Sequence, residues 1–222
     1  MQTYTEENYL KAIYKLSLVH EDGVNTNAIA ELLETKASSV TDMIKKLSDK
    51  NLINYVKYQG VTLTPKGKKV AVNIIRKHRL WEFFLVNHLN FKWDEVHDIA
   101  EELEHINSEK LIDNLDKFLD YPKFDPHGDP IPDKEGNIYH HKEISLADLE
   151  EKQSGIIVGV KDHSTQFLKY LEGIQLLLGT RVTALKKFDY DDSILVATGD
   201  KKEIIVSNKV SRNLYIKKSI TK

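Results

Sequence analysis

The 222-residue chain contains no cysteine, and this absence excludes several classes of protein at once. Disulfide scaffolds, thiolate zinc fingers, iron–sulfur clusters and cysteine nucleophiles all need thiols. Any metal site in this chain must therefore be built from the nitrogen and oxygen ligands of His, Asp and Glu.

Long apolar runs are also missing from the sequence. No stretch approaches the ~18 consecutive apolar residues of a membrane span, and acidic residues stand near the N-terminus, where a signal peptide would carry basic ones. We therefore expect a cytoplasmic protein without a membrane partner. Hydrophobic residues make up 41% of the sequence and charged residues 30%, a composition typical of a folded protein with a substantial core.

The small net charge of −2 hides three segments of different sign. The balance is +5 over residues 1–79, −12 over residues 80–154 and +5 over residues 155–222. Within the first segment, residues 36–79 hold 11 basic and 2 acidic side chains. Such a cluster predicts contact with a polyanion, because neutralised phosphates release counterions, although a solvated lysine-rich helix face has the same composition.

Apolar spacing predicts a winged helix in the N-terminal region. The predicted elements are a helix over residues 9–18, a short helix capped by Thr26 or Asn27, a helix that starts at Ser38 or Ser39, and a hairpin over residues 52–64. Pro65 stands where the first turn of the next helix is expected. Helix, helix-turn-helix and hairpin in this order are typical of a winged helix.

Two long helices and a small β domain are predicted to follow. The helices run from Lys66 to about Leu89 and from Asp94 to about Leu119, and four prolines between Pro122 and Pro132 end the helical region. Five strands are predicted around one helix at residues 165–171: 156–160, 181–187, 194–197, 204–206 and 214–216. A small SH3-like barrel is the simplest arrangement of these strands.

We therefore predict a mainly α protein with a smaller β part and four segments. These are a winged helix at residues 1–72, a helical domain at 73–140, a tether at 141–154, and a small SH3-like domain at 155–222.

Polar residues with the spacing of metal ligands lie in the acidic middle segment. His78 and Glu82 are four residues apart, as are His97 and Glu101, and Glu101 is followed by Glu104 and His105. Residues at i, i+3 and i+4 share one helix face, and carboxylates and imidazoles from packed helices hold divalent ions in helical bundles. The same residues are common on solvated helix faces, so the spacing alone leaves both interpretations open.

Several motifs stand together in a specific order. They are residues 9–14 (YLKAIY), 39–41 (SVT), 60–67 (GVTLTPKG), 76–80 (RKHRL) with Glu82, Val96-His97, Glu104-His105, and 126–132 (PHGDPIP). With these motifs the sequence resembles, over essentially its whole length, the diphtheria toxin repressor and manganese transport regulator family of metal-dependent bacterial transcriptional repressors. The resemblance implies that the winged helix at residues 1–72 is a DNA-binding domain, that residues 73–140 form a helical dimerisation and metal-binding domain, and that residues 155–222 form an SH3-like, FeoA-like domain.

The resemblance also implies two metal sites. The primary site would comprise Asn8, His78, Glu101, Glu104 and His105. Glu101 stands where iron-responsive members have Cys and manganese-responsive members have Glu, which favours Mn²⁺. Asn8 departs from the pattern, because manganese-type members have Asp and iron-type members Met at this position. Lys11 replaces an acid that some short manganese regulators use for a two-metal cluster, so that cluster is not expected here.

A secondary site implied by the resemblance would comprise Glu82, Asp125, His127 and Asp162. Asp125 replaces the usual Cys with a harder ligand, which again favours Mn²⁺. An alternative iron-type arrangement would use His78, Glu82 and His97 with side chains near His163 and Gln166.

In the winged-helix interpretation the third helix enters the major groove of DNA. The candidate DNA-binding residues, which are mostly small hydroxyl or basic, are Thr26, Lys36, Ser38, Ser39, Thr41, Asp42, Lys45, Lys46, Lys57 and Tyr58. Short hydroxyl side chains imply that specificity rests on half-site spacing and DNA shape more than on direct contacts with bases.

The expected function is that of a regulator that binds palindromic double-stranded operator DNA as a metal-loaded homodimer and represses metal-uptake genes. The metal is expected to be Mn²⁺, with Fe²⁺ as the alternative and Zn²⁺, Co²⁺ and Ni²⁺ binding in vitro. We expect neither enzymatic activity nor a small-molecule substrate. Two rival hypotheses are a divalent-metal-dependent hydrolase that uses the Glu/His cluster, and a DNA-binding protein that needs no metal.

Overall fold

The computed structural model describes residues 2–20, 23–56, 60–139 and 143–219. The chain divides into two compact units. The first comprises residues 1–81, 100–121 and 131–138, and the second comprises residues 82–99, 122–130 and 139–222. Each unit has a hydrophobic core of its own.

Three helices open the first unit. Helix α1 (Tyr4–Ser17) begins with a capping box between Thr3 and Glu6, α2 (Thr26–Leu32) is capped by Asn25, and α3 (Ala37–Asp49) follows after a short turn. The apolar residues predicted to face inward are buried, among them Leu10 and Ile13 on α1 and Val40, Ile44 and Leu47 on α3. The predicted helix-turn-helix is therefore confirmed, with helix starts that differ by a few residues.

The predicted hairpin is present as β1 (Ile53–Val56) and β2 (Gly60–Leu63), which pair antiparallel with Val56 opposite Gly60. Val24 bridges to Val61 and extends this small sheet. Gly60 has φ +90, and a Cβ atom at this position would lie 2.7 Å from the carbonyl oxygen of Val24. The close approach of the two backbones therefore needs glycine, and the wing packs against the segment before α2.

The central helices differ from the prediction at one point. Helix α4 (Pro65–Leu89) is continuous as expected, but α5 (His97–Leu103) and α6 (Glu109–Phe118) are separate helices, so the prediction of one helix from Asp94 to Leu119 is wrong. Ser108 explains the break, because its side chain accepts a hydrogen bond from the Leu111 amide and starts a new helix. Glu104 and His105 consequently lie just beyond the end of α5.

The second unit contains a six-stranded antiparallel sheet with the strand order β3-β8-β4-β5-β6-β7. Its strands are β3 (Ile144–Ser145), β4 (Ser154–Val160), β5 (Arg181–Lys187), β6 (Ile194–Thr198), β7 (Glu203–Val206) and β8 (Leu214–Lys218). Helix α7 (Thr165–Ile174) lies between β4 and β5, and α8 (Asn208–Ser211) lies between β7 and β8. The predicted strands and the SH3-like class are confirmed.

Two features of this unit differ from the sequence-based expectation. Ile144, in the segment expected to be a tether, pairs with Ile216 of β8, and Leu146 and Leu149 are fully buried in the core of the unit. The sheet therefore begins before Ile156. Helix α8 was not predicted; it is one turn long, and its only local signal is the N-cap Ser207.

None of the helices within the described ranges combines the length and the apolar character that crossing a membrane requires.

Candidate metal centre

A cluster of ionisable side chains joins α1, α4 and the end of α5 within the first unit. The Lys11 ammonium lies 2.5 Å from Oε1 of Glu101 and 2.6 Å from Oε2 of Glu104. Nδ1 of His78 lies 2.7 Å from the same Oε2 and 3.5 Å from the Lys11 nitrogen. We call Asn8, His78, Glu101, Glu104 and His105 the cradle, and its members are the residues predicted for the primary metal site.

Glu104 divides the cradle into two sides. Its Oε2 atom contacts Lys11 and His78. Its Oε1 atom is buried and lies 3.9 Å from Nε2 of His105, and it accepts no hydrogen bond from any residue that the structure describes. Oδ1 of Asn8 is likewise buried without a hydrogen-bond donor among the described residues. Asn8 precedes Lys11 by three residues, so both lie on one face of α1.

The imidazole of His105 is held in place by two residues of α1. Nδ1 of His105 lies 2.7 Å from Oε2 of Glu7, and the ring of Tyr4 stacks on the imidazole with centroids 4.7 Å apart. Sequence reasoning missed Glu7, because an acid in the first turn of a helix has an ordinary role towards the helix dipole. No local pattern marks it, because its contact with His105 joins residues that are far apart in the sequence.

Charge within the cluster is unevenly balanced. Glu7, Glu101 and Glu104 are acids, and the Lys11 ammonium makes direct contact with two of them. Burial by itself raises the pKa of Glu101, but the nearby Lys11 ammonium outweighs burial and holds the pKa below its usual range. Burial lowers the pKa of Lys77, although Glu7, Glu104 and Glu109 act in the opposite direction. The acids of the cluster thus favour positive charge on Lys77, whereas burial disfavours it.

The donor atoms of the cradle fit a divalent cation. A buried carboxylate or amide oxygen without a hydrogen-bond donor costs about 1–3 kcal/mol, so proteins rarely retain one without a purpose. Here two such oxygens, on Asn8 and Glu104, accompany the imidazole of His105. A set of oxygens with one imidazole nitrogen and no sulfur suits Mn²⁺ and Fe²⁺.

The second unit contains another group with ligand character. Glu82, Asp125 and His127 are buried, and one donor atom from each lies within 4.8 Å of the others. Oδ1 of Asp125 accepts the amides of His127 at 2.8 Å and Asp129 at 2.9 Å, which fixes the loop. Burial lowers the pKa of His127, but Glu82, Asp125 and the Trp93 carbonyl outweigh it and raise the pKa to about 9.

The other residues predicted for a secondary site have different surroundings. Nδ1 of His97 lies 3.6 Å from Glu82, and the ring of His163 stacks on His127 with centroids 4.8 Å apart. Asp162 accepts the amide of Ser164 ahead of α7, and Gln166 is exposed on α7. Neither Asp162 nor Gln166 belongs to the three-residue group. The iron-type set of His78, Glu82 and His97 draws on both units and stays a prediction.

The candidate DNA-binding residues lie mainly on α3. Six of them are exposed on α3 and a seventh just before it: Ser38, Ser39, Thr41, Asp42, Lys45 and Lys46, with Lys36. Thr26 is half-buried at the start of α2. Lys57 and Tyr58 lie outside the described residues. The ammonium of Lys46 also lies 2.9 Å from the buried carboxylate of Glu6, so this lysine connects α3 to α1.

Three family profiles match consecutive parts of the chain. They are the iron dependent repressor N-terminal DNA binding domain at residues 1–61, the iron dependent repressor metal binding and dimerisation domain at residues 64–133, and the FeoA domain at residues 144–218.

Curated relatives match more than half of the chain. The iron-dependent repressor IdeR of Mycobacterium leprae is 37% identical over 130 residues, which are 58% of this chain and 55% of IdeR. The chain thus spans about half the length of this relative. The regulator MntR of Oceanobacillus iheyensis is 36% identical over 126 residues, which are 56% of this chain and 84% of MntR.

Solved structures match over the whole fold. A manganese-dependent transcriptional repressor in complex with manganese is 32% identical with a TM-score of 0.86, and the match covers 96% of this chain and 99% of that one. The order of the three profiles, the relatives and this similarity agree with the winged helix, and the chain therefore belongs to the family of iron-dependent repressors that includes the diphtheria toxin repressor and the manganese-dependent repressors.

Proposed function

We propose that this chain is a metal-responsive transcriptional repressor with Mn²⁺ as its effector and Fe²⁺ as the alternative. It binds palindromic double-stranded operator DNA as a homodimer and represses genes of metal uptake. The cradle carries this proposal, because it joins α1 of the DNA-binding profile to Glu101, Glu104 and His105 of the metal-binding and dimerisation profile. The relatives named for manganese support the choice of metal.

The ligands that we assign to the primary ion are Asn8, Glu101, Glu104 and His105, with His78 beside them. Glu82, Asp125 and His127, with Asp162, would hold a second ion. A bound divalent ion would supply positive charge to these oxygen and nitrogen donors. The donors are oxygens and imidazoles, and Asp125 in particular offers a hard carboxylate, which favours Mn²⁺ over softer ions.

Domain boundaries form part of the same proposal. We retain residues 1–72 for the winged helix and 73–140 for the metal-binding and dimerisation domain. The C-terminal domain is taken to begin at Ile144 rather than at residue 155, because β3 pairs with β8 and the FeoA profile starts at the same residue.

Helix α1 couples the cradle to the DNA-binding surface. Its residues Glu7, Asn8 and Lys11 face the cradle, while the buried carboxylate of Glu6 pairs with Lys46 and Lys50 on and next to α3. Ordering α1 against residues 101–105 therefore also orders α3. An effector changes a two-state equilibrium only through its differential affinity, and a change from 1:99 to 99:1 needs about 5.5 kcal/mol.

The exposed end of α3 is suited to contact DNA through small and basic groups. Ser38, Ser39 and Thr41 offer short hydroxyl side chains, and Lys45 offers a charge to the phosphates. Such contacts position a helix in the major groove but discriminate weakly between bases. We infer that spacing between the two half-sites of a dimer and DNA shape provide most of the specificity.

A regulatory role fits the cradle better than a catalytic one. Glu104 is fully buried, and His78 and His105 are each 6% exposed. A site that is so enclosed can hold an ion but leaves little room for a substrate beside it. The hydrolase hypothesis therefore has less support than a regulator.

A DNA-binding assay at fixed salt tests the proposal. We expect Mn²⁺ to strengthen operator binding by about 5- to 150-fold over chelator, the usual range of allosteric coupling. Glu104→Ala should abolish this response and leave the dimer intact by light scattering. The matched control is Glu102→Ala, an exposed neighbour that should respond like the wild type. Equal operator affinity of the wild type in chelator and in Mn²⁺ would refute the proposal.

A further inference from the structure

Lys11 is a lysine in a setting that normally holds a metal ion. Its side chain is only 6% exposed, and its ammonium contacts two carboxylates and approaches an imidazole nitrogen, the kinds of donor atom that bind a divalent cation. Buried lysines are uncommon unless they are paired. Lys11 therefore already supplies one positive charge to the carboxylates of the cradle.

The contacts of Lys11 lie on one side of the cradle. The ammonium engages Oε1 of Glu101 and Oε2 of Glu104, whereas the Oε1 atom of Glu104 faces His105 on the other side. The two sides share the Glu104 carboxylate. A cation bound at Oε1 of Glu104 would thus lie close to a second, covalently attached cation, and like charges at close range repel each other in a partly buried site.

We propose that Lys11 is a tethered cation that competes with the metal for Glu101 and Glu104 and thereby sets the concentration at which the metal binds. This inference rests on the proposed function, in which a divalent ion at the cradle is the effector. In the metal-free chain the ammonium pairs with both carboxylates and offsets part of their negative charge. Metal binding then has to overcome both the repulsion from the ammonium and the existing ion pairs.

Direct titration with Mn²⁺ in the absence of DNA tests this inference. Free Mn²⁺ is measured by electron paramagnetic resonance for the full-length wild type, Lys11→Met, Lys11→Gln and Lys11→Arg. We expect Lys11→Met and Lys11→Gln to bind Mn²⁺ about tenfold or more tightly than the wild type, because the competing charge is gone. Lys11→Arg keeps the charge and should stay near the wild type.

A matched control and a second measurement complete the experiment. Lys69→Met removes an exposed lysine of α4 and should leave Mn²⁺ affinity unchanged. Metal-free Lys11→Met should melt at a lower temperature than the wild type, because two carboxylates lose their ion pair, and Mn²⁺ should raise its melting temperature by more than it raises that of the wild type. Lys11→Gln, which keeps a hydrogen-bond donor, replaces Lys11→Met in both measurements if the latter does not fold.

The outcomes separate this inference from the proposed function. If the wild type binds Mn²⁺ and responds to it on DNA, but the neutral variants bind Mn²⁺ no more tightly than the wild type, the role of Lys11 is wrong and the repressor proposal stands. If Lys11→Arg gained as much Mn²⁺ affinity as Lys11→Met, that result would also contradict the role of the Lys11 charge. If neither the wild type nor any variant binds Mn²⁺, both proposals fail.

Discussion

His105 and Glu7 form a buried pair in which Nδ1 of the imidazole lies 2.7 Å from Oε2 of the carboxylate. The contact fixes the orientation of the ring and leaves Nε2 directed towards Glu104. Metal-binding histidines are commonly held by a carboxylate on the nitrogen that does not bind the metal, which sets the tautomer and raises the basicity of the ligand. Glu7 thus has the geometry of a positioning residue for a metal ligand.

Glu7→Ala should weaken Mn²⁺ binding by about 10- to 100-fold, the usual effect of removing such a partner. The physical reason is that the imidazole of His105 loses its fixed orientation. Mn²⁺ titration measures the effect, and Glu7→Gln should lose less because it keeps a hydrogen-bonding side chain. Glu102→Ala serves as the exposed control. Wild-type affinity in Glu7→Ala would show that Glu7 contributes only to packing.

Asp125→Asn should lower Mn²⁺ affinity at the group of Glu82, Asp125 and His127 by about tenfold, because removing ligand charge weakens the binding of a hard cation. The asparagine oxygen can still accept the amides of His127 and Asp129, so the loop should keep its shape. Titration with Mn²⁺ checks the result.

Asp133→Asn provides a matched control for this substitution. Asp133 also accepts an amide four residues ahead, from Asn137 at 2.8 Å, but it is not part of the metal-ligand group. The Asp133→Asn variant should bind Mn²⁺ with the same affinity as the wild type. Equal losses in the two variants would mean that loop structure, and not ligand charge, explains the effect of Asp125→Asn.

Glu6→Gln should reduce the free energy of unfolding at pH 7 by about 1–3 kcal/mol, since it removes a buried acceptor of charged hydrogen bonds. Burial alone would raise the pKa of Glu6, but Lys50, Lys46 and the Thr3 backbone lower it from 4.5 to about 2. A carboxylate with a depressed pKa stabilises the fold above pH 4.5, and this contribution is lost as pH falls towards 2.

The pH dependence distinguishes this charge effect from simple packing. Urea unfolding at several pH values should show the difference between wild type and Glu6→Gln narrowing from pH 4.5 to pH 2. Glu31→Gln, an exposed residue on α2, should match the wild type throughout. A constant difference across this pH range would contradict the role of the ionised Glu6.

Lys45→Ala should weaken binding to all DNA sequences alike and reduce the slope of log affinity against log salt by about one per chain. Its side chain is 71% exposed on α3, and its contact with Asp42 is long at 3.8 Å, so its charge is available to a phosphate. Fluorescence anisotropy at several salt concentrations measures the slope. The control Lys110→Ala on α6 should leave the salt slope unchanged. If Lys45→Ala weakened binding to the operator sequence alone, Lys45 would contact bases instead of phosphates.

Local patterns predicted most of the fold, but the central helix shows their limit. The apolar residues before residue 104 and after residue 108 have a spacing that one continuous helix would also give. A serine between them is compatible with a continuous helix and with the start of a new one. In the structure the Ser108 side chain accepts a hydrogen bond from the Leu111 amide, and this N-cap begins the second helix. The short β3 strand escaped prediction for a similar reason, since its two residues, which pair with the distant Ile216 and Tyr215, carry no periodicity of their own.

The proposed metal ligands were partly visible in the sequence because Glu101, Glu104 and His105 are close along the chain. Their partners on α1 were not visible from spacing alone. The contact of Glu7 with His105, and the position of the Lys11 ammonium between Glu101 and Glu104, depend on how two distant segments pack. Such long-range contacts leave no local signature.

Helix α1 presents Glu6 to the lysines of the DNA-binding helix and Glu7, Asn8 and Lys11 to the cradle within less than two helical turns. A substitution that shifts or rotates this helix alters both surfaces at once. Under the proposed function, metal preference and operator preference are not independent traits at these positions. Evolution towards a new metal through residues 6–11 would require compensating changes on α3 to keep the same DNA target.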